Sequence, residues 1–591
     1  MKAQSDNSII SIIFRNSVIS IIIAVVATML GVVIDGIVIG HFLGPECMAA
    51  YGLFTPVMNL ATIFSSIMAA GTQVVCAQRL GAGDEKGARR SFSICIIFTL
   101  IISAVLLCSL LLFRTKLAVF LGARGNSAHL LPLLSEYILG VSFSLPAVII
   151  LLESNSLLRL DDDATRIVFA VGTMTILDIA GDLLNALVFR GGMLGMGLAT
   201  TFSYLVALII VLFHFTKKDI IFRFSAKGLD LNDLKDILMT GSSSAVGSAS
   251  TTLRNYTLNQ IMVATILSST AVGALGVLST IQNCTSCILI GVGMTTSMIG
   301  GIILGEQDRI AAEKLLKTAF CTAFCIALFL AVVIFIFAGH IAGVFGNSDS
   351  TQMTALAARG LRIFSLSIVL YGINNAFSNF SQGLRQMKIS NLCEFLQNFL
   401  YVTTAALLLK NILDTDAVWF AYLIGESCTL LTIVIMAAVR KKGLPSKIKD
   451  FIFIKEPFGA PDSEILELSI SDSSQVIPAS FEVSEFCQSK GTDSKKKLLL
   501  SLFVEELGNN VVTHGFSDSK TELLEIRLVH MDNDWILRLR DNCKAFDPTE
   551  WIKLHENDDP TSNIGIRMVC GMAKDVGYVN TLDLNILTLK I

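Results

Sequence analysis

The chain has 591 residues, of which 53% are hydrophobic and only 16% are charged. Soluble domains carry about 25% charged residues, so this composition indicates an integral membrane protein and excludes a disordered, fibrous or nucleic-acid-coating chain. Residues 1–450 hold 31 Lys+Arg and 25 Asp+Glu, whereas residues 451–591 hold 14 and 23. The sequence therefore predicts a membrane body followed by an acidic soluble domain, whose charge argues against nucleic acid as a partner.

Twelve apolar stretches are long enough to cross a bilayer, which takes about 20 residues of helix. They are residues 17–40, 50–75, 91–113, 132–158, 166–189, 193–214, 240–268, 271–303, 315–338, 356–382, 389–410 and 416–438. Basic residues such as Arg79, Lys217 and Arg440 follow the second, sixth and twelfth stretches. Basic loops stay on the cytoplasmic side, so we expect both termini in the cytoplasm and the body in a bacterial inner membrane.

An internal repeat relates two halves of this body. The segment GAGDEKGARR (81–90) aligns with GEQDRIAAEK (305–314) at a shift of 224 residues. Leu158-Arg159 aligns with Leu384-Arg385 at a shift of 226 residues. Each half has six predicted spans, so equivalent spans run in the same direction. Parallel repeats with a cavity between them suit alternating access.

Several carboxylates lie inside the predicted spans, where a charge costs at least about 2.5–3.5 kcal/mol and marks a candidate functional group. Asp35 lies in the first span, and Asp178 and Asp182 lie four residues apart on one face of the fifth. Thr200, early in the sixth span, adds a hydroxyl oxygen. Buried carboxylates take up protons or bind a cation through oxygen, so the first half is predicted to hold a coupling site.

The second half lacks carboxylates at the equivalent positions. Its own intramembrane carboxylates, Glu394 and Glu426, and Glu153 in the first half are expected to be satisfied by local hydrogen bonds or salt bridges. The sequence thus favours coupling through the first half alone.

The segments DGIVIGHFLGPECMAAYGL, GAGDEKGARR and LLRLDDDATR, in this order within residues 10–440, resemble the MATE (multidrug and toxic compound extrusion) transporters. Members of that family export organic cations and other amphipathic compounds in exchange for Na⁺ or H⁺. The resemblance implies that Asp35, Asp178, Asp182 and Thr200 form the cation-coupling site. Asp178 stands where the family usually has Asn, and this additional charge leaves the identity of the ion open.

The tail alternates between strand and helix patterns, which predicts a two-layer α/β domain with a mixed sheet and helices on one face. Strands are predicted at EILELSI, TELLEIRLVH, DWILRLRD, GYVNTL and LNILTLKI. The predicted organisation is a first six-helix half (residues 1–220), a second six-helix half (221–440), a linker (441–463) and the α/β domain (464–591).

Three segments of the tail carry candidate chemistry. Glu506 and Asn510 are four residues apart on a long helix and share one face, which suits a carboxylate that orients water or a hydroxyl and an amide oxygen that holds Mg²⁺. Asp541 ends a strand, and Gly565 opens a helix, whose free N–H groups favour phosphate.

The segments VEELGNNVVTHGF, DNCKAFDP and NIGIRMVCGMAKDVGY are similar in order and content to the GHKL (histidine-kinase/Hsp90-like) ATPases, in their anti-sigma-factor serine-kinase branch. The resemblance implies Glu506 as catalytic base, Asn510 as Mg²⁺ ligand and Asp541 as reader of the adenine amino group, with Mg²⁺-ATP as cofactor. Cys543 and Asn563 stand where the family has glycines, and side chains there are expected to weaken nucleotide binding. Kinase or ATPase activity is left open.

The chain contains no Gly-Lys dipeptide, which excludes a P-loop and ATP-driven pumping of the ABC type. The resulting interpretation is a secondary active multidrug or organic-cation exporter driven by Na⁺ or H⁺, with a cytosolic nucleotide-binding regulatory domain. Its expected partners are a small amphipathic or cationic substrate, membrane lipid and a cytosolic protein bound by the tail, without nucleic acid. Two alternatives stay open: a membrane sensor that signals through the serine-kinase-like domain, and an exporter of lipid or peptide precursors.

Overall fold

The computed structural model describes residues 8–217, 220–225, 228–264, 268–345, 351–454, 458–516, 522–531, 534–555 and 564–591. The helices of the membrane body are α1 (Ile9–Val38), α2 (Pro45–Gly81), α3 (Glu85–Phe120), α4 (Leu131–Ser142), α5 (Leu145–Leu160), α6 (Ala164–Leu184), α7 (Gly192–Leu212), α8 (Leu231–Val263), α9 (Ser268–Glu306), α10 (Arg309–Phe345), α11 (Thr351–Gly383), α12 (Met387–Phe395), α13 (Tyr401–Leu413) and α14 (Asp416–Lys441). Most are long apolar helices, as the composition predicts.

The described residues contain ten single helices that are long and apolar enough to cross a membrane. An eleventh span arises if Ser127–Ser142 and Leu145–Leu160, which are bent by 49° against each other, cross together. Pro146 lies in the first turn of α5, where its missing N–H removes no helical hydrogen bond. The predicted span 132–158 is therefore broken into two helices.

Within the described residues the structure thus gives ten or eleven apolar spans where the sequence predicts twelve: α8 is missing from both counts, and the bent helix pair accounts for the other difference. Helix α8 ends at Val263, so it covers most of the predicted span 240–268, but it is rich in Ser, Thr and Asn. Some of its polar groups bond to other helices: Asn391 donates to the Ser242 hydroxyl at 3.1 Å, and Gln382 donates to the Thr240 carbonyl at 3.1 Å. Contacts with α11 and α12 therefore satisfy polar groups of a helix that is poorly suited to lipid.

The two halves repeat each other in local geometry. Asp84 caps α3 by accepting from the Gly87 N–H at 2.8 Å, and Asp308 caps α10 by accepting from the Ala311 N–H at 2.9 Å. In both loops the residue before the Asp has a positive φ, of 76° and 54°. This shared geometry confirms the alignment of GAGDEKGARR with GEQDRIAAEK.

The second predicted alignment is wrong. The turns Asp161–Asp163 after α5 and Leu384–Gln386 after α11 share one pattern of backbone hydrogen bonds, with φ of 55° and 54° at the central residue. Arg385 is therefore the counterpart of Asp162, whereas the chance Leu-Arg match pairs it with Arg159. Turn geometry fixes the alignment because it depends on the backbone and tolerates different side chains.

The halves meet most closely at the end of the body that carries the C-terminal domain, called the domain-side end below. A Cβ added at Gly81 on α2 would overlap the Ile302 carbonyl oxygen, and one added at Gly305 on α9 would overlap the Gln78 carbonyl oxygen. One buried apolar cluster spans both halves here, while the clusters nearer the opposite end draw on one half each. The body is therefore closed at its domain-side end.

The C-terminal domain contains α15 (Val476–Ser489), α16 (Ser494–His514), α17 (Pro548–Leu554), α18 (Ile564–Met572), β1 (Ile465–Ile470), β2 (Leu524–Met531), β3 (Asp534–Asp541), β4 (Asp575–Thr581) and β5 (Leu584–Lys590). The strand order is β1-β2-β3-β5-β4, and every neighbouring pair is antiparallel. The predicted mixed sheet is therefore wrong. Two helices, α15 and α16, join β1 to β2. The chain runs away along the first helix and back along the second, so β2 starts at the end of the sheet where β1 finishes and runs in the opposite direction.

Helices cover one face of this sheet. Ile526, Leu537 and Leu539 point from the strands into a core with Phe503 and Val504 of α16. The two-layer prediction is confirmed, and DWILRLRD matches β3 in full. The sequence prediction missed α17, although its start carries a signal: an Asp N-cap followed by Pro at the first helical position.

Candidate functional site

The packing of α1 against α6 brings the three first-half carboxylates together. The Thr175 hydroxyl of α6 donates to the Ala27 carbonyl of α1 at 3.2 Å. Asp178, one turn later, places its Oδ2 atom 3.9 Å from the Cβ position of Gly31 on α1. Asp35 and Asp182 are electrostatic neighbours. Two helices that are distant in sequence thus build one acidic cluster.

This cluster is buried and poorly satisfied. Asp182 is fully buried, and neither of its carboxylate oxygens has a hydrogen-bond partner in the structure; Oδ1 of Asp35 also lacks one. Asp178 differs, because it accepts a hydrogen bond from the Ser203 hydroxyl at 3.1 Å. Most buried polar groups in proteins are paired, so three orphaned oxygens in one place mark a position suited to a proton or a small cation.

The α7 helix supplies hydroxyl groups to the same cluster. Thr200 is half-buried and neighbours Asp178, and its carbonyl accepts from the Ser203 hydroxyl at 2.8 Å. Ser203 was not singled out from the sequence, although it lies three residues after Thr200 and therefore on the same helix face. Tyr51 and Tyr204 are further electrostatic neighbours that have no sequence signal.

The arrangement of the carboxylates bears on the kind of ion. Across the described ranges, no group of three or more His, Cys, Asp or Glu side chains is placed to hold a metal ion. Asp35 and Asp182 are instead neighbours whose charges act on each other, and they form a carboxylate pair in this sense. Two carboxylates that share a site hold one proton between them readily, because both cannot be charged at low cost.

The other intramembrane carboxylates have hydrogen-bond partners, as the sequence analysis expects. The partners are Thr99 at 2.5 Å for Glu153, Ser378 at 2.7 Å and Asn398 at 2.8 Å for Glu394, and Asn374 at 2.8 Å and Gln397 at 3.0 Å for Glu426. The contrast with Asp182 separates the first-half cluster from the rest.

The predicted nucleotide residues of the C-terminal domain lie on α16, α18 and the end of β3. Glu506 is exposed, and Asn510 is half-buried one turn further along α16. Gly565 in the first turn of α18 faces Glu506 so closely that an added Cβ would overlap its Oε2 atom. The structure therefore brings Glu506 and Gly565 together, and there is no room for a side chain at position 565.

Asp541 is buried at the end of β3. Its Oδ1 atom accepts from the Asn585 amide at 2.7 Å and from the Cys543 backbone N–H at 3.0 Å. Burial raises the pKa of Asp541, and these two donors oppose that change. Burial, with the nearby Asp541 carboxylate, also raises the pKa of the Cys543 thiol, so Cys543 is not a reactive thiolate. Asn563 lies outside the described residues.

This geometry fits a nucleotide in two respects. Asp541 offers a fixed, buried carboxylate to a donor such as an amino group, and the glycine at 565 keeps a Cβ out of the space before Glu506. The Cys543 side chain packs closely against Gly515, where an added Cβ would lie only 3.0 Å from its Cβ and Sγ atoms.

Comparison with protein families agrees with the fold. The family described as MatE matches residues 20–184 and 244–407, one segment in each half. The chain belongs to the MatE family. The family described as histidine kinase-like ATPase domain matches residues 470–591, so a domain of that kind follows the MatE body.

The chain is similar to two MatE-type proteins of known name. It is 20% identical to the probable multidrug resistance protein YoeA of Bacillus subtilis over 58% of this chain and 74% of that protein. It is 20% identical to the multidrug export protein MepA of Staphylococcus saprophyticus over 69% of this chain and 90% of that protein.

Solved MATE structures share the fold of the body. An outward-facing multidrug resistance MATE transporter superposes with a TM-score of 0.69 at 22% identity, over 74% of this chain and 97% of that one. A transporter from Pyrococcus furiosus, described by the reverse polarity of its binding pocket, gives a TM-score of 0.68 at 22% identity, over 74% of this chain and 97% of that one.

Proposed function

We propose that this MatE protein exports small amphipathic or cationic compounds by antiport, and that the Asp35–Asp178–Asp182 cluster binds the coupling ion. The observation that carries the proposal is the pair of orphaned oxygens on fully buried Asp182, which is an electrostatic neighbour of Asp35. The names of YoeA and MepA support multidrug compounds as substrates. The carboxylate pair favours H⁺ as the coupling ion, with Na⁺ as the alternative.

In this mechanism the ion and the substrate use the cluster in turn. A proton taken up at the Asp35–Asp182 pair removes one of the negative charges that attract a cationic substrate, and its release restores that charge. Asp178 accepts a hydrogen bond from the Ser203 hydroxyl, whereas Asp182 has no such partner. Only a differential affinity of this kind lets a gradient drive the conformational equilibrium.

Reconstituted protein in liposomes tests the proposal. We expect efflux of an organic cation such as ethidium to follow an imposed pH gradient and to ignore a Na⁺ gradient of equal size. Efflux driven by Na⁺ alone would reassign the ion to Na⁺. Absence of efflux under either gradient would contradict antiport of such compounds and favour a sensor or an exporter of lipid or peptide precursors.

We further propose that the C-terminal domain binds Mg²⁺-nucleotide and regulates the body. Asp541 would hold the base, Asn510 would hold the metal, and the backbone at Gly565 would approach the phosphates. Bound Mg²⁺-ATP would supply a transferable phosphoryl group, for which Glu506 is the candidate base on a separate protein substrate. Transport itself needs no ATP in this scheme, because the ion gradient drives it.

The proposal places both termini in the cytoplasm. The first N–H group of α1, at Ile9, donates to Glu525 of the C-terminal domain at 3.1 Å, so the start of α1 and this domain lie at one end of the body. We expect a phosphatase fused after Ile591 to be inactive and a fluorescent protein fused there to be bright. A reporter pair with the opposite result would contradict this orientation.

A further inference from the structure

The sheet of the C-terminal domain has a second, charged face. Side chains alternate along a strand, so Arg538 and Arg540 of β3 point away from the helices that cover Leu537 and Leu539. Arg527 of β2 lies directly opposite Arg538. Like charges in opposite positions destabilise a sheet unless other groups neutralise them. This face therefore requires acidic partners.

One acidic partner lies within the domain, where Arg527 pairs with Glu467 of β1 at 3.1 Å; the others come from the end of α9 and the loop that follows it. Arg540 pairs with both Glu306 and Asp308, with Nη2 at 2.8 Å from Asp308 Oδ2, and Arg527 pairs with Asp308. Arg538 donates to the Glu306 carbonyl at 3.3 Å. Asp308 is fully buried, and although burial opposes it, Arg540 and Arg527 hold the pKa of Asp308 well below its usual range. The ion pairs are thus enclosed between domain and body.

The repeat explains why the domain binds this loop. Asp308 and Asp84 occupy equivalent positions as helix caps, but the residue equivalent to Glu306 in the first half is Ala82. The second-half loop therefore has a carboxylate two residues before its capping Asp, whereas the first-half loop has alanine there and carries its other carboxylate, Glu85, after the Asp. The carboxylate at position 306 is what suits the second-half loop to the arginine pair of the sheet.

The domain also contacts the first half, through the two-residue turn between β4 and β5. Thr581 donates its hydroxyl to the Leu160 carbonyl at 2.7 Å, and the Asp583 N–H donates to Asp162 Oδ1 at 2.9 Å. Leu582 and Asp583 have φ of 58° and 57°, a conformation that costs energy for leucine. Leu582 is nevertheless buried in the apolar cluster of the domain-side end, so the strained turn is held by the body.

The nucleotide site lies at the same edge of the sheet. Asn585, which donates to Asp541 at 2.7 Å, follows Asp583 of the contacting turn by two residues. A ligand that binds the Asp541 carboxylate therefore competes for, or changes, the hydrogen bond that Asn585 donates to the same carboxylate. The β4–β5 turn, which contacts the first half, is therefore linked through Asn585 to Asp541, the carboxylate proposed to bind the nucleotide base.

We propose that the C-terminal domain is a clamp that holds the domain-side ends of the two halves together, and that nucleotide at Asp541 acts on this clamp through Asn585 and the β4–β5 turn. The clamp spans the Glu306–Asp308 loop of one half and the Leu160–Asp162 loop of the other. Alternating access requires these ends to separate, so the docked domain restrains the body in the form closed at the domain-side end. This inference rests on the proposed function in that it assumes a transport cycle.

Hydrogen exchange on the full chain in lipid nanodiscs tests the clamp. Arg540→Gln leaves Glu306 and Asp308 short of a partner, and a buried charge without its partner weakens an interface strongly. We expect exchange in residues 71–81 and 297–306 to rise by roughly tenfold, because allosteric couplings commonly fall in the range of about 5- to 150-fold. Glu485→Gln, on the exposed surface of α15, is the matched control and should leave exchange unchanged.

A second variant acts in the opposite direction. Burial, and then the neighbouring Asp583, raise the pKa of Asp162 to about 7, with Asp161 in its own loop adding to the effect. The docked form therefore binds a proton that the released form gives up, so docking weakens as pH rises from about 4 to about 7. Asp162→Asn keeps the acceptor oxygen and suits the positive φ, so we expect slower exchange and no such pH dependence.

Three outcomes would overturn the clamp: unchanged exchange in Arg540→Gln when circular dichroism shows a folded domain, faster exchange in Asp162→Asn, or nucleotide effects confined to residues near Asp541. Millimolar Mg²⁺-ATP should change exchange in residues 71–81 of the wild type and not of Asp541→Asn. Export assays run in parallel should show a faster initial rate for Arg540→Gln. Because exchange does not depend on transport, failure of the proposed function would not be mistaken for failure of the clamp.

Discussion

Asp182→Asn is expected to abolish ion-coupled export, with a loss of roughly 100-fold in the gradient-driven rate, at the upper end of typical coupling effects. Asp182 is fully buried, has no hydrogen-bond partner for either oxygen and is an electrostatic neighbour of Asp35. An amide there can neither take up nor release a proton. The measurement is initial efflux of an organic cation from proteoliposomes under an imposed pH gradient, and Asp35→Asn should behave in the same way.

The matched control is Glu153→Gln. Glu153 is also a fully buried carboxylate of the first half, but it accepts from the Thr99 hydroxyl at 2.5 Å, and a glutamine oxygen can accept the same hydrogen bond. We expect export to fall by no more than about twofold, as for a neutral structural change. Coupled export at the wild-type rate in both aspartate variants would remove the cluster from the mechanism.

Asp541→Asn is expected to weaken nucleotide binding to the full chain by roughly 10- to 100-fold, the value of one hydrogen bond to a charged group. Asparagine keeps the acceptor for Asn585, so the edge of the sheet should stay intact. The measurement is equilibrium binding of a fluorescent ATP analogue with Mg²⁺ to detergent-solubilised protein. Glu506→Gln should bind as the wild type does, because a base acts on the chemical step and not on affinity.

The control for this experiment is Asp534→Asn at the other end of the same strand. Asp534 is exposed and pairs with Lys574 at 2.5 Å, so its replacement should leave nucleotide binding unchanged. Wild-type affinity in Asp541→Asn would refute the assignment of the base-reading carboxylate. Failure of the wild type to bind at millimolar nucleotide would leave the domain as a protein-binding module.

The membrane class, the first alignment of the repeat and the order of the motifs are evident in the amino-acid sequence alone. These features depend on residues that are close in the sequence. An apolar run of about 20 residues is long enough to cross a bilayer as a helix, and a strand with one buried face has an apolar side chain at every second residue. The i, i+4 pair Asp178 and Asp182 could be placed on one face for the same reason. The predicted strand DWILRLRD matched β3 because its alternation is regular over its whole length.

Which of these groups come together depends on the tertiary structure. Asp35 and Asp182 become electrostatic neighbours because α1 packs against α6, and the antiparallel sheet depends on two helices between β1 and β2. The docking of Arg527 and Arg540 on Glu306 and Asp308 joins residues that are far apart in the chain. Each of these charges alone predicts only a solvated surface, because pairing depends on distances in space that a local pattern does not encode.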